Sequence, residues 1–165
     1  MKTDIVIRPV RLDDAEELTH IYNYYIANTT ITFEITPITV DEMRRRIIEI
    51  TAQHPYYVCE QVGKVVGYCY VHPWHTRAAF LHTVELSVYL DFEVRHQGIG
   101  RSLVEYVIAV CRQRDYHVLI ASITSENTAS FHFHETLGFR HVAHYDEVGF
   151  KFDRWVGLDN FQLML

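Results

Sequence analysis

A glycine-containing hexapeptide in the middle of the chain has residue types that can hold an anion. It occupies 95–100 and reads Arg95, His96, Gln97, Gly98, Ile99 and Gly100. A β-branched and aromatic run precedes it at 84–90, and apolar residues at helical spacing follow it. Glycines let a phosphate approach bare backbone, and the first N–H groups of a helix have no intrahelical partner. The spacing therefore predicts an anion site, typically for pyrophosphate, between a strand and a helix.

Three phosphate-binding patterns compete for this hexapeptide. A P-loop requires GxxxxGK[ST], but Arg101 and Ser102 follow Gly100 and no lysine is in place. A dinucleotide fingerprint requires GxGxxG at the start of a βαβ unit, and only two of its three glycines are present. The pattern [RQ]xxGx[GA] is matched by Arg95, Gly98 and Gly100. The alternative without a ligand is a corner at which glycines relieve strain.

The matched pattern resembles the acyl-CoA pyrophosphate loop of the GNAT superfamily of N-acetyltransferases. A second stretch begins at Asn127 and Ala129 and closes at Phe139. It resembles that superfamily's other signature, an Asn and Ala followed by Yxx(x)GF, with His134 where a tyrosine is common. The resemblance covers nearly the whole chain. It implies that the protein is an acetyltransferase and that acetyl-CoA is its cofactor.

Glu85 interrupts an otherwise apolar strand and is the candidate general base. Strand 83–90 alternates, so Glu85 and Ser87 share one face, whereas Val84 and Leu86 share the other. An amine must lose a proton to attack a thioester, and burial raises the pKa of a carboxyl toward a useful value for a base. Glu85 can act directly or through a water. The alternative is a structural ion pair between Glu85 and an Arg or Lys.

His134 is the second candidate catalytic residue. Asn127, Ser130, Phe131 and His134 share one face of a predicted helix at 128–136. Asn127 can hydrogen-bond to the cofactor, and His134 can act as an acid toward the CoA sulfur or as a base. The alternative is a partly buried histidine that holds a backbone carbonyl.

Several stretches resemble one branch of the superfamily, the phosphinothricin and methionine-sulfoximine acetyltransferases. They lie at 21–26, 32–34, 67–68, 83–89, 133–139 and 149–155. In that branch, residues after Trp74 and around the strand Glu line the acceptor pocket. Carried over, the implied substrate-binding residues are His75, Thr76, Arg77, Glu85, Leu86 and Ser87. The implied cofactor contacts are Val88, Tyr89, Leu90, Arg95, His96, Gln97, Gly98, Ile99, Gly100, Arg101 and Asn127.

Two positions depart from the branch, and several basic residues bear on the acceptor. His75 and Gln97 stand where Lys or Arg is frequent; the first bears on the substrate and the second on CoA affinity. Arg77, Lys151 and Arg154 add basic side chains near the implied pocket, and Arg pairs with carboxylate or phosphinate groups in bidentate fashion. This favours a small anionic or zwitterionic amine as acceptor. The alternative is that these are solvated surface charges.

Three function classes fit the residues. The first is an enzyme that acetylates a small amino-acid-like compound. The second is a protein or peptide N-acetyltransferase, which would need an open, often acidic groove. The third is an acyl-CoA-binding module without turnover, against which the presence of Glu85 argues.

Composition limits the possible partners. The 165 residues are 48% hydrophobic and 22% charged, as expected for a single globular domain spanning 1–165. A net charge of −6 argues against nucleic acid. Cys59, Cys69 and Cys111 have no metal-ligand spacing, so we expect free thiols, a cytoplasmic location and no metal. No apolar run has the length of a membrane span. The resemblance implies a homodimer.

Hydrophobic periodicity predicts the elements that position these residues. Asp13 or Asp14 can cap a first helix, and Thr39 begins the capping box of a second. Helices are also predicted at 99–113 and 128–136, and strands at 5–8, 56–60, 65–71, 80–90, 118–123, 140–149 and 160–165. The order β-αα-βββ-α-β-α-ββ predicts an α/β (α+β) architecture, a mixed central sheet flanked by helices. It is also the order of the GNAT fold.

Overall fold

A computed structural model describes residues 5–94 and 97–165, and the predicted order of elements is confirmed. The helices are α1 (Ala15–Asn28), α2 (Val40–Thr51), α3 (Ile99–Gln113) and α4 (Thr128–Thr136). The strands are β1 (Ile5–Pro9), β2 (Tyr56–Gln61), β3 (Lys64–Pro73), β4 (Thr83–Leu90), β5 (Val118–Thr124), β6 (Arg140–Lys151) and β7 (Arg154–Met164).

The seven strands form one mixed sheet in the order β1-β2-β3-β4-β5-β7-β6. The β4–β5 pair is parallel, and the other pairs are antiparallel. The pairing of β4 with β5 is short. It begins with Thr83 beside Val118 and ends with Glu85 beside Ile120, and no pair follows in the described residues. The sheet therefore splits between β4 and β5 beyond Glu85.

The two faces of the sheet bury different side chains. Helix α3 packs its apolar stripe, including Leu103, Val104 and Val107, against one face. Helices α1 and α2 cover the other face, where much of the buried material is tyrosine. The alternation of β4 sends Leu86 to the α3 face and Tyr89 to the α1 face.

The helix starts follow from capping, with one difference from expectation. Thr39 caps α2 as predicted, since its hydroxyl accepts from the Glu42 N–H at 3.1 Å. Asp14 occupies the N-cap position of α1, but its side chain makes no cap bond. Its carboxylate instead accepts two bonds from Arg8, at 2.7 and 2.8 Å, which favour the charge-assisted pair over the cap.

The C-terminal hairpin is longer than the sequence predicts. The strand expected at 160–165 begins at Arg154, and the strand expected at 140–149 runs to Lys151. The two strands are joined by Phe152 and Asp153, whose φ angles of 53° and 56° are left-handed, as in a two-residue type I′ turn. The turn was missed because neither residue is the Asn or Gly that usually marks it.

The described residues also bear on the predictions about thiols, membrane spans and metal ions. Cys59, Cys69 and Cys111 are buried free thiols. No described helix combines the length and the apolar character needed to cross a bilayer. Among residues 5–94 and 97–165, no three His, Cys, Asp or Glu side chains converge in a way that would hold a metal ion.

Candidate active site

A cleft opens where β4 and β5 diverge. It is lined from β4 by 86–89, from β5 by 121–123, and from α4 by Asn127, Ser130 and His134. Beyond Glu85, the edge of β4 that faces β5 has no strand partner in the described chain. Backbone N–H and C=O groups on such an edge need hydrogen-bond partners, and an extended chain with amide groups can supply them. The cleft therefore suits a long ligand such as pantetheine.

The glycine loop approaches the end of β4 at Leu90, and its two glycines have different reasons to be glycine. Gly98 is the N-cap of α3 with a φ of +77°, and a Cβ placed there would meet nothing within 4 Å. A Cβ on Gly100 would lie 3.1 Å from the Leu90 side chain. Gly98 is therefore favoured by its left-handed φ at an open position before the helix N-terminus, whereas Gly100 lets α3 approach β4.

The other predicted loop residues fall in three environments. Ile99 is buried in the core, so only its backbone can face a ligand. Arg101 is exposed and its Nε lies 2.8 Å from Glu105 Oε1, and Gln97 accepts a bond from Gln61 at 3.2 Å. Arg95 and His96 lie outside the described residues.

The predicted contacts at the end of β4 combine backbone and side-chain roles. Val88 packs partly into the α3 core and lines the cleft. The Tyr89 ring turns to the opposite face, where it contacts Tyr22 edge-on at 5.1 Å between centroids. The Leu90 carbonyl accepts from the Tyr25 hydroxyl at 2.6 Å, which fixes the end of the strand against α1.

Asn127 begins α4 and faces the cleft. Its Oδ1 accepts from the Ser130 N–H at 3.2 Å, which caps the helix. Because the oxygen is used in the cap, the amide –NH₂ is the donor that Asn127 offers to a ligand in the cleft.

His134 is buried in the cleft wall, and its surroundings define its protonation. Nδ1 lies 2.8 Å from the Ser130 carbonyl, so Nδ1 carries the proton and Nε2 keeps a lone pair. Burial lowers the pKa of His134 below its usual 6.5. A neutral histidine with this tautomer accepts a hydrogen bond at Nε2 and has no proton there to give. The residue thus holds a backbone carbonyl, one predicted alternative, and keeps an acceptor free.

Glu85 belongs to the last β4–β5 pair before the cleft opens. It is half-buried, and it lies opposite His72 of β3 and beside Ile120 of β5. No hydrogen bond or ion pair to its carboxylate occurs among the described residues. The structural ion pair that was the alternative for Glu85 therefore has no partner in that part of the chain. The carboxylate is available to accept a proton.

The remaining predicted acceptor residues lie around the same end of the sheet. The loop with His75, Thr76 and Arg77 joins β3 to β4, and all three side chains are exposed. The His75 ring packs on Trp74 with 4.0 Å between centroids. Leu86 is buried in the α3 core, so it meets the cleft mainly through its backbone, whereas Ser87 is half-buried on the Glu85 face. Among the described residues, no side-chain hydrogen bond joins this loop to Glu85.

Sequence reasoning missed a polar network that roofs the Glu85 face. The Tyr22 hydroxyl donates to Glu34 and lies 2.8 Å from Thr32 Oγ1. Arg46 of α2 donates to both oxygens of Glu34, at 2.9 and 2.7 Å, and holds the pKa of Glu34 below its usual range. The only available signal was the resemblance of 32–34 to the family branch, because the members come from three separate segments.

Two basic residues near the implied pocket are engaged rather than free. Lys151 is buried, its Nζ donates to the Thr32 carbonyl at 2.9 Å, and burial lowers its pKa. Arg154 is paired with Glu126, with Nη2 to Oε2 at 2.9 Å. The solvated-surface interpretation is therefore wrong for Lys151, and neither residue offers an unpartnered cation to an acceptor.

Comparison with known proteins agrees with this architecture. Residues 7–158 match the family model described as an acetyltransferase (GNAT) domain. The chain is 39% identical over 152 residues to phosphinothricin N-acetyltransferase of Alcaligenes faecalis, covering 91% of this chain and 77% of that protein. It is 34% identical over 156 residues to L-methionine sulfoximine/L-methionine sulfone acetyltransferase of Salmonella typhimurium, covering 92% and 90%.

A solved structure is similar over the full length of the chain. It is a GNAT superfamily phosphinothricin acetyltransferase from Sinorhizobium meliloti in complex with AcCoA. The TM-score is 0.95 at 32% identity, and the alignment covers 100% of this chain and 89% of that one.

Proposed function

This chain belongs to the GNAT family of acetyltransferases, and we propose that it acetylates the amino group of a small amino-acid-like acceptor of the phosphinothricin or methionine-sulfoximine type. It is an N-acetyltransferase, and acetyl-CoA is its acetyl donor. The observation that carries the acceptor proposal is Glu85, a carboxylate without a described partner at the vertex of the β4–β5 cleft.

The reaction uses few groups. Glu85 takes a proton from the acceptor ammonium, directly or through one water, and the neutral amine attacks the thioester carbonyl. The new C–N bond forms, the C–S bond breaks, and the CoA thiolate leaves with the electron pair. The nitrogen loses its second proton to solvent, and the CoA thiolate is protonated by Glu85, which returns the first proton directly or through the same water and regains its charge. Nε2 of His134 accepts a hydrogen bond from the acetyl-CoA bound in the cleft. It cannot donate one, because the neutral tautomer has no proton on Nε2.

The cofactor contacts divide between backbone and side chain. At 88–90, the backbone groups of β4 that face the cleft pair with the pantetheine amides, apart from the Leu90 carbonyl, which Tyr25 binds. The Asn127 –NH₂ donates across the cleft. The N–H groups at the start of α3, beside Gly98, receive the pyrophosphate, with the described loop residues 97–101 around it.

The acceptor binds on the side of Glu85 that lies opposite the cofactor. The loop with His75, Thr76 and Arg77 supplies donors to its carboxylate, and Leu86 and Ser87 line the approach to the thioester. Relatives named as acetyltransferases of phosphinothricin and of methionine sulfoximine and sulfone support an α-amino acid as the acceptor class.

We also propose that 1–165 acts as one catalytic domain and forms a homodimer in a reducing cytoplasm. Exposed apolar residues on the C-terminal hairpin, including Val148, Phe150 and Trp155, support a second copy as the partner. Three buried free thiols support the compartment. Light scattering after size-exclusion chromatography tests the dimer.

The test is thiol release from acetyl-CoA with phosphinothricin, methionine sulfoximine, methionine sulfone, polyamines and an N-terminal peptide as acceptors. We expect saturable release with the amino-acid analogues, and a loss of about 10²–10³-fold in kcat/KM for Glu85→Gln with CoA affinity unchanged. Release with the peptide alone would favour a protein acetyltransferase. CoA binding without any release would favour a binding module.

A further inference from the structure

We propose that a small cavity on the Glu85 face of the sheet receives the end of the acceptor's side chain and selects an uncharged side chain over an anionic one. The inference rests on the proposed function. The cavity lies between α1, α2 and the β2–β3 part of the sheet. Its lining includes Tyr22, Tyr56, Tyr68, Tyr70, Met43 and Arg46, and we refer to it as the tyrosine cavity.

The positions of the acceptor's amine and carboxylate direct its side chain toward the tyrosine cavity. The amine must reach Glu85 and the cleft, and the carboxylate meets the donors of the β3–β4 loop. The remaining direction on this face leads from Glu85 past Ser87 to Tyr70, which lies opposite Ser87 on β3. Diagonal neighbours on adjacent strands are about 7–8 Å apart, so a short side chain spans the distance.

The size and chemistry of the cavity restrict what can end there. Its volume is about 20 Å³, room for about one water molecule, so only a small terminal group enters. Burial raises the pKa values of Tyr56, Tyr68 and Tyr70, so their hydroxyls remain neutral at physiological pH. Neutral hydroxyls and a thioether suit a methyl group or an uncharged oxygen.

Arg46, the cation among the described residues of the lining, is already neutralised. Arg46 donates through Nε to Glu42 at 2.8 Å and through both Nη atoms to Glu34. Lys151 is attracted by Glu34, but it bonds to the Thr32 carbonyl and is not part of the lining. An anionic side chain would lose its hydration and find no uncompensated positive charge.

The experiment compares two acceptors that differ in the charge of the side chain. Methionine sulfone is neutral at its tip, and phosphinothricin carries an anionic phosphinate. We expect kcat/KM for the sulfone to exceed that for phosphinothricin by about tenfold or more. Glu34→Gln removes one of the two carboxylates that neutralise Arg46, which leaves a net positive charge at the cavity. The ratio of the two kcat/KM values should therefore move about tenfold toward phosphinothricin.

Glu49→Gln is the matched control because it makes the same charge change on the exposed side of α2, where Glu49 pairs with Arg45. It should leave the ratio within about twofold, since exposed charges are screened. If Glu34→Gln does not fold, as judged by its melting curve, Glu42→Gln removes the other Arg46 carboxylate and should move the ratio in the same direction.

The outcomes separate this inference from the proposed function. Turnover of neither acceptor would remove the proposed function itself. A wild-type preference for phosphinothricin, or an equal effect of Glu34→Gln on both acceptors, would leave the proposed function intact and overturn the selectivity of the tyrosine cavity.

Discussion

The two faces of β4 carry different kinds of side chain. Toward α3 the strand presents Val84 and Leu86, which join a continuous apolar core. Toward α1 and α2 it presents Glu85 and Tyr89, which meet tyrosines and a polar network. The cofactor side is formed mainly by backbone at a strand edge and a helix start, and the acceptor side by side chains from distant segments. Stability is expected to depend on the first face and acceptor selectivity on the second.

A core truncation tests where the stability resides and should give the largest effect. Leu103 of α3 is fully buried, so Leu103→Ala should lower the free energy of unfolding by about 2–5 kcal/mol in urea denaturation. On the other face, Tyr56→Phe removes a hydroxyl whose contact with Met43 Sδ is 4.0 Å long, and should cost less than about 1 kcal/mol. Equal losses would contradict the division between the two faces.

A glycine pair tests whether the cofactor side depends on backbone access. Gly98 and Gly63 have φ angles of +77° and +76°, and a Cβ at either meets nothing within 4 Å. Alanine at either position carries the same left-handed strain, about 1–2 kcal/mol. We expect Gly98→Ala to weaken acetyl-CoA binding about tenfold in calorimetry, because the methyl group stands where phosphate approaches the N–H groups.

Gly63→Ala serves as its control, because Gly63 lies in the β2–β3 turn. The variant should be destabilised to the same extent and keep its acetyl-CoA affinity within about twofold. If both variants lost affinity equally, strain rather than access would explain the result, and the phosphate role of Gly98 would be withdrawn.

The same contrast explains what the sequence can predict. Helices α3 and α4 have the bounds that periodicity and glycine placement predict, because those signals are local. Pairs such as Tyr22 with Glu34, or Glu34 with Arg46, depend on how loop and helices pack and have no local signature. The turn at Phe152 and Asp153 was missed for a related reason: the pairing of Lys151 with Arg154 closes a two-residue hairpin, and neither turn residue is the Asn or Gly that would mark it in the sequence.

His134 lines the cleft from α4, and its titration gives the smallest expected effect. Burial lowers its folded-state pKa below 6.5, so the unfolded chain binds this proton first as the pH falls. The contribution of His134 to stability is therefore present above about 6.5 and is lost below it. His144 has the opposite sign because Asp146 and Asp159 raise its pKa, so its contribution is lost as pH rises.

Replacing His134 should therefore remove one contribution to the acid sensitivity of the free energy of unfolding. We expect His134→Gln to lose less unfolding free energy than the wild type between pH 7 and 5, by under about 1 kcal/mol. His132→Gln is the matched control, because it makes the same exchange at an exposed position of the same helix. Urea titrations at several pH values measure the difference. Parallel pH curves for wild type and His134→Gln would show that the proton is not excluded from the cleft, and would reopen an acid role for His134 toward the thiolate.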